Sequence, residues 1–520
     1  MALLENLTES HVSVTRSATL GSVLLLFIWI AWKVTERVRS AKKYNLPNLI
    51  PGLPLVGNAH QIPASNACLH FQDLAKRHGE MFTINIGGTY WLFLNSRRVV
   101  HELLEKRAAI YSSRMNLPMA YRVISNEKRT LLMPYGDLWR RERKIMHQIL
   151  DSTQANVFGP FQDIESKILL YNYLKQPESW FISHGVFSGS VIMSVVFGQR
   201  AGADNRLQEL LAVAEQFVPY LEPGRSFVDN FPFLLNLPLP QSLQPWRWWG
   251  DKLYRRTRSL YEKEMNALRE RMRSGVQNNC FMSQFYESGK GDEFEEDELL
   301  FIAGALIEAG TDTTRVSLTQ CVAAAILWPD WVERVREQID KVCGANAERL
   351  PTEQDAPDLP LVKAVVKESV RWKPCIGETG IPHALICDDV FEGYTIPAGT
   401  VVTWNHWANS NSPDEYTEPE RFWPERFLNE DIDKPLKGHL GFGAGRRACV
   451  GYNVANSNLF IALARLLYCF EFSQPDDAPP LDTSKPLHSA TTTPPFPVSI
   501  KIRSQAHQYL IERECDSISF

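Results

Sequence analysis

The sequence predicts a mainly α fold with small β-sheets, one large domain behind a short N-terminal membrane anchor. Three observations carry that reading. Met81 to Phe93 alternates and is rich in β-formers around Gly87-Gly88, which predicts a hairpin near the start of the body. Helical periodicity dominates afterwards, and after the acidic run Glu293 to Glu298 an apolar helical pattern continues until Pro329 stops it. A helix of ~30 residues spans ~45 Å, the width of a domain.

Composition bounds the function. At 520 residues, 44% hydrophobic and 11% aromatic, the chain can bury a large core. Its net charge of −5 lacks the basic field that nucleic-acid binding requires, so no nucleic-acid partner is expected. Nine cysteines, odd in number and without paired spacing, argue for a reducing compartment. No internal repeat and no Gly-x-Gly-x-x-Gly dinucleotide fingerprint occurs, so electrons for any redox reaction come from another protein.

In chain order, residues 1–16 form a short non-cytoplasmic N-terminus carrying the sequon Asn6-Leu7-Thr8. Ser17 to Trp32 is uncharged and mostly apolar, and Lys33, Arg37, Arg39, Lys42 and Lys43 follow it. That order reads as a transmembrane anchor over 17–32 with a cytoplasmic body; a cleaved signal peptide would place the basic residues first. Residues 33–58 read as a basic, proline-rich hinge, with Pro47, Pro51, Gly52 and Pro54 interrupting the chain; 59–503 is the body and 504–520 a tail.

The chemistry concentrates in Phe442-Gly443-Ala444-Gly445-Arg446-Arg447-Ala448-Cys449-Val450-Gly451, followed at once by an apolar helical pattern. The spacing predicts Cys449 at a helix N-terminus, where first-turn N–H groups and the two arginines favour thiolate, the metal-ligating form. A lone cysteine is more often a buried apolar residue, so other motifs have to agree. Trp139 and Arg143, four apart after Tyr135-Gly136-Asp137, share a helix face. Ala309-Gly310-Thr311-Asp312-Thr313-Thr314 sets small residues, an acid and hydroxyls in mid-helix, which suits an opened turn beside a ligand; the plain alternative is a threonine bonding back to its own helix. Glu368 and Arg371, three apart, can pair on one face.

Phe442, Gly445, Arg447, Cys449 and Gly451 meet every fixed position of Phe-x-x-Gly-x-Arg-x-Cys-x-Gly and thereby resemble the haem-binding loop of the cytochrome P450 family. The resemblance covers about residues 45 to 503 and implies the P450 fold and a haem b cofactor with Cys449 as axial thiolate to iron. It places Trp139, Arg143, His383 and Arg114 on the haem propionates, and Phe442, Gly445 and Arg447 in the haem loop. Asp312 and Thr313 become the residues that deliver protons to oxygen. Glu368 and Arg371, with Arg426 from Phe422-Trp423-Pro424-Glu425-Arg426-Phe427, form a structural brace; the nearby Pro419-Glu420-Arg421-Phe422 is the competing register. Cys375 to Gly380 would line the distal pocket, where Glu378 either meets a polar group of the substrate or points to solvent, and Thr491 to Phe496 would close its wall. Arg140, Arg141 and Lys144 would face an acidic electron donor or simply solvent. The greasy segment Asn230 to Pro240, with Trp246, Trp248 and Trp249 after it, is either buried or a lid that dips into the membrane.

The implied activity is that of a monooxygenase of the fungal microsomal style. It takes electrons from NADPH through NADPH-cytochrome P450 reductase, with cytochrome b5 as a possible second donor, and oxidises a small apolar or aromatic substrate in secondary metabolism, from the endoplasmic reticulum membrane. Two alternatives keep the same architecture: a haem-thiolate isomerase or dehydratase that needs no reductase, and a non-catalytic haem-binding protein.

Overall fold

The computed structural model describes Thr35 and residues 43–518, except 55, 152–154, 202–205, 222–224, 231, 277–279, 377–379, 488–492 and 517. The anchor at 17–32, the Asn6 sequon, Glu378, Thr491 and Thr492 therefore lie outside the described residues.

Helices form most of the body. The longest, Glu296–Leu327, opens on a capping box in which Glu295 and Glu298 satisfy each other's backbone N–H groups, with three acids in the first turn where the helix dipole favours them. It ends at Pro329, as the sequence predicts. Along its length it packs on the apolar helices Trp180–Phe197 and Tyr452–Cys469, and Gly310 lets Trp180–Phe197 approach so closely that a Cβ would stand 2.8 Å from Ile192. Among the described residues the one helix long and apolar enough to cross a membrane is this same Pro177–Phe197 segment, and its window is 89% buried in the fold. It is a core helix.

The main sheet joins both ends of the chain. Strands β1 (Met81–Ile86) and β2 (Thr89–Leu94) form the expected hairpin, with Gly87 and Gly88 both at positive φ. The remaining strands of the sheet are β3 (Ser113–Arg114), β4 (His383–Ala384) and β7 (Val401–Trp404), and the order is β1-β2-β7-β4-β3. Two small hairpins, β5 (Asp389–Phe391) with β6 (Tyr394–Ile396) and β8 (Phe470–Ser473) with β9 (Ser499–Ile502), complete the strands. In the main sheet Arg114 stands opposite His383, and His383 opposite Val402. Two residues 269 positions apart, Arg114 and His383, are thus cross-strand neighbours.

Two boundaries differ from the sequence reading. The described part of the stretch read as a hinge is stitched to the sheet: the Ile50 amide donates to the Thr83 carbonyl (2.9 Å), and the Asn58 carboxamide oxygen accepts from the Asn85 amide (2.8 Å). Prolines read as hinge stiffeners instead shape a strap whose backbone groups find partners in β1. The stretch read as a tail contains a helix, Gln505–Cys515, whose Leu510, Ile511 and Cys515 are buried in the core while Glu512 pairs with Lys175 (2.8 Å). Its apolar spacing is short, and polar neighbours mask it.

Candidate active site

A cavity of about 2000 Å³ lies between the Glu296–Leu327 helix and the loop before Tyr452–Cys469. Cys449, Phe442, Arg447, Trp139, Arg143, Arg114, Asp312 and Thr313 all line it.

Cys449 is not the first residue of a helix. The helix begins at Tyr452, and Cys449 sits in the turn before it, closed by its amide donating to the Phe442 carbonyl (2.7 Å). Burial pushes its thiol pKa up, while the Gly451 N–H and the charge of Arg143 pull toward thiolate. The cation responsible is therefore neither of the loop's own arginines. Arg446 reaches outward to the Tyr135 hydroxyl, and Arg447 donates to the carbonyls of Ser112 (2.8 Å) and Met133 (2.7 Å).

Gly445 also differs from expectation. It does not line the cavity; its φ is +61°, and a Cβ there would collide with the Leu104 carbonyl oxygen. The glycine is required by a backbone crossing behind the site. Gly445→Ala should cost more than about 2 kcal/mol, seen as a lowered unfolding temperature, with no change in the spectrum of whatever protein folds.

Along one side of the cavity runs an unneutralised positive cluster. Arg143 lies one turn from Trp139, its guanidinium 5.8 Å from the ring centroid, and Arg447 approaches the same ring at 4.2 Å. Arg114 donates to the carbonyls of Leu131 (2.9 Å) and Ile381. Among the described residues none of the three forms an ion pair with a carboxylate. Burial, then the neighbouring guanidiniums, holds Arg447 down to about 8 and Arg114 down to about 9. A guanidinium keeps its proton in proteins, so burial and mutual repulsion leave the three arginines in need of a negative charge beside them. Beside it, buried His383 donates Nδ1–H to the Tyr111 carbonyl (2.8 Å); among the described residues its Nε2 has no partner, and nor does Nε of Arg143.

Across the cavity the Glu296–Leu327 helix runs without a break through Ala309 to Thr314, so the opened turn expected there is not formed. Thr313 donates its hydroxyl to the Ala309 carbonyl (2.8 Å), which satisfies a helix group and leaves its oxygen lone pairs toward the cavity. Asp312 is held by Arg315: Nε donates to Oδ1 at 2.9 Å and Nη2 to the same oxygen. Cys375, Ile376 and Gly380 also line the cavity. Among the described residues of the Thr491 to Phe496 turn none does so; Phe496 packs instead on Trp180, ring centroids 5.3 Å apart.

Behind the loop, Glu368 and Arg371 are fully buried and paired, Nη2 to Oε1 at 2.7 Å, and Arg426 Nε reaches the same Oε1 at 3.3 Å. Arg421, the competing register, faces outward to Glu418 and Asp330, both at 3.4 Å.

The cytochrome P450 family model matches residues 47–501. The chain belongs to the cytochrome P450 family. Similar proteins include the cytochrome P450 monooxygenases aneD of Aspergillus aculeatus (35% identical, covering 91% of each chain) and fogE of Aspergillus ruber (33%, covering 88% of this chain and 86% of that one). A third is virE of Hypocrea virens (31%, covering 95% and 91%). This P450 is thus a monooxygenase with fungal relatives. A solved zebrafish cytochrome P450, in a structure with abiraterone, shares the fold at a TM-score of 0.65 and 23% identity, covering 84% of this chain and all of that one.

The residues present fit the haem that the family carries. A flat dianion needs cations and N–H donors at one edge and a soft ligand below its centre. The Arg114, Arg143 and Arg447 cluster, with the orphaned Nε of Arg143, supplies the first, and the half-buried Cys449 the second; His383, the cross-strand neighbour of Arg114, does not itself line the cavity.

Sequence reasoning missed Arg129 and Glu308, which also line the cavity, and the clamp of Arg315 on Asp312. The available signal was a single acid in the apolar run Leu299 to Glu308, and an arginine in the middle of the same helix pattern.

Proposed function

We infer that this P450 inserts one oxygen atom from O2 into a small, largely apolar molecule, using electrons from NADPH through a separate reductase, in fungal secondary metabolism. The observation that carries the reading is one cavity with a half-buried cysteine on one wall, an Asp-Thr pair on the opposite wall and an anion-seeking cluster at its edge. Bound haem supplies oxygen activation, with a cysteinate donating electron density to iron. Trp139, Arg143, His383 and Arg114 would hold its propionates, and Arg447 would add charge from the loop.

The chain's own residues would manage water and protons. Thr313, whose proton is committed to Ala309, offers an acceptor oxygen and so would position a water or a protonated group rather than donate first. Both Arg315 bonds land on Oδ1 of Asp312, which leaves Oδ2 to exchange protons with water. Exposed Phe227, Phe233, Leu237, Leu239, Leu243 and Trp248 support the membrane-dipping reading of the lid over the buried one, and with the 17–32 anchor they support a single-pass endoplasmic reticulum protein with a cytoplasmic body.

Reductase and NADPH should give substrate-dependent NADPH oxidation; turnover supported by peroxide alone and never by NADPH would overturn the reading in favour of an isomerase or dehydratase. Thr313→Ala should retain haem and NADPH oxidation but divert most reducing equivalents to hydrogen peroxide, dropping product per NADPH about tenfold or more. Peroxide assay beside product quantitation checks it, and tight coupling in this variant would remove Thr313 from proton handling.

A further inference from the structure

The cavity roof holds a charge cluster that the proposed oxygen chemistry does not use. Arg129, in the loop before the Asp137–Leu150 helix, is 3% exposed and ion-pairs through Nη1 with Oε2 of Glu308 on the Glu296–Leu327 helix. Tyr261, from the Pro245–Arg273 helix, donates its hydroxyl to Oε1 of the same carboxylate. Room for it is made one turn earlier, at Gly304, where a Cβ would collide with the Tyr261 ring. Phe217, the last residue of the Arg206–Phe217 helix, covers the guanidinium with its ring centroid at 3.7 Å. Arg129, Glu308 and Phe217 line the cavity.

Stability does not account for this arrangement, because a buried ion pair replaced by apolar side chains of similar volume is often neutral or stabilising. The arrangement is also incomplete. The Tyr261 hydroxyl lies close to the guanidinium, but among the described residues nothing gives buried Nε or Nη2 of Arg129 a hydrogen bond of normal geometry, and unsatisfied donors on a charged group are among the costlier defects of an interior. Neither nitrogen is exposed to the cavity while the Phe217 ring covers the guanidinium, so an oxygen can reach them only when that ring moves aside.

Charge decides which oxygen. Along the helix facing the cavity, Glu308 neutralises Arg129 and Arg315 neutralises Asp312, unlike the uncompensated arginines at the haem edge. A carboxylate arriving here would set a second negative charge beside Glu308 in a poorly solvated space, whereas a neutral carbonyl oxygen adds none. We propose that Arg129 is a substrate-recognition residue of this P450 and that its ligand is an uncharged, largely apolar molecule carrying a carbonyl oxygen, held by Nε–H and Nη2–H with Phe217 yielding to admit it.

The proposal deepens the monooxygenase reading and rests on it, but binding tests it without turnover. Haem-loaded wild-type and Arg129→Lys proteins, first checked for the carbon-monoxide spectrum of cysteinate coordination, are titrated with butyrophenone, butylbenzene and phenylbutyrate, following the spin-state shift of the Soret band. The three probes share a skeleton and differ in a ketone, nothing, or a carboxylate. Lysine keeps a cation beside Glu308 but gives up the fixed, planar Nε–H and Nη2–H pair. The wild type should bind the ketone about tenfold or more tighter than the hydrocarbon, and Arg129→Lys should erase that preference while holding hydrocarbon affinity within about twofold. If Arg129→Lys does not load haem, Arg129→Met with Glu308→Gln, which removes the whole pair, must show the same loss. No ketone shift in the wild type, a preference for phenylbutyrate, or a ketone preference that survives the substitutions overturns the proposal alone. Absence of the cysteinate spectrum in folded wild-type protein overturns the monooxygenase reading and this with it.

Discussion

Cys449→Ala should reduce turnover to below about a thousandth of wild type, more than about 4 kcal/mol on the barrier, while the protein still folds. The fold survives because the loop is held by groups other than the sulfur. The residue-449 amide still donates to the Phe442 carbonyl, Arg447 still ties the loop to Ser112 and Met133, and the following helix still starts at Tyr452. What goes is the cysteine of the loop; Cys375 also lines the cavity but belongs to a different segment. Reduced protein treated with carbon monoxide should lose the red-shifted Soret band, and circular dichroism should show wild-type helix content. Gly451 adds a second arm: a Cβ there would stand 4.0 Å from Sγ, ordinary contact, so Gly451→Ala should keep the band and change its position only slightly. A folded Cys449→Ala protein with the band intact would place the ligand elsewhere.

Much of this site was legible because each motif is local. Trp139 with Arg143, Asp312 with Thr313 and Glu368 with Arg371 lie within one or two helical turns, and helical spacing alone puts each pair on a shared or adjoining face. The long helix was legible for the same reason, and the β1–β2 hairpin from its alternation and paired glycines. What stayed hidden depends on contacts distant in sequence. Gly445 reads as a haem-loop glycine because its neighbours are, and only the packed chain shows the Leu104 carbonyl behind it. The cation nearest Cys449 in effect is Arg143, about three hundred residues earlier, while the adjacent Arg446 and Arg447 turn away. Arg129 follows Asn126-Glu127-Lys128 and reads as a solvated loop; its burial requires Glu308, Tyr261 and Phe217 from three other segments. The strap at 43–58 likewise takes its order from β1, and helix Gln505–Cys515 from the core it caps.

Glu368→Ala should be the most destabilising single substitution in the molecule. Both oxygens of Glu368 are engaged: Arg371 donates Nε to Oε2 at 2.8 Å and Nη2 to Oε1 at 2.7 Å, the Trp423 amide donates to Oε1 at 2.8 Å, and Arg426 Nε adds a longer bond. The remaining donors of Arg371 go to the carbonyls of Ser410 (2.8 Å), Pro419 (2.7 Å) and Arg421 (3.4 Å), so this one guanidinium fastens the helix Pro360–Trp372 to the irregular stretch leading to the cysteine loop. With Glu368 gone, Arg371 is a fully buried cation without a counter-charge, a change that costs about 3–5 kcal/mol. Against a typical total of about 5–15 kcal/mol that is enough to abolish accumulation of folded, haem-loaded protein. Glu368→Gln keeps the hydrogen-bond shape and loses the charge, so it should fall between. Arg426→Ala should cost less than Glu368→Ala, about 1.5–3 kcal/mol, because Glu368 keeps its shorter bonds to Arg371 and Trp423. Denaturant titrations of the three variants, with haem content per folded protein, give the order directly. If Arg426→Ala proves as damaging as Glu368→Ala, the brace is a three-membered unit whose outer arginine carries as much as the buried pair, and the ranking by burial is wrong.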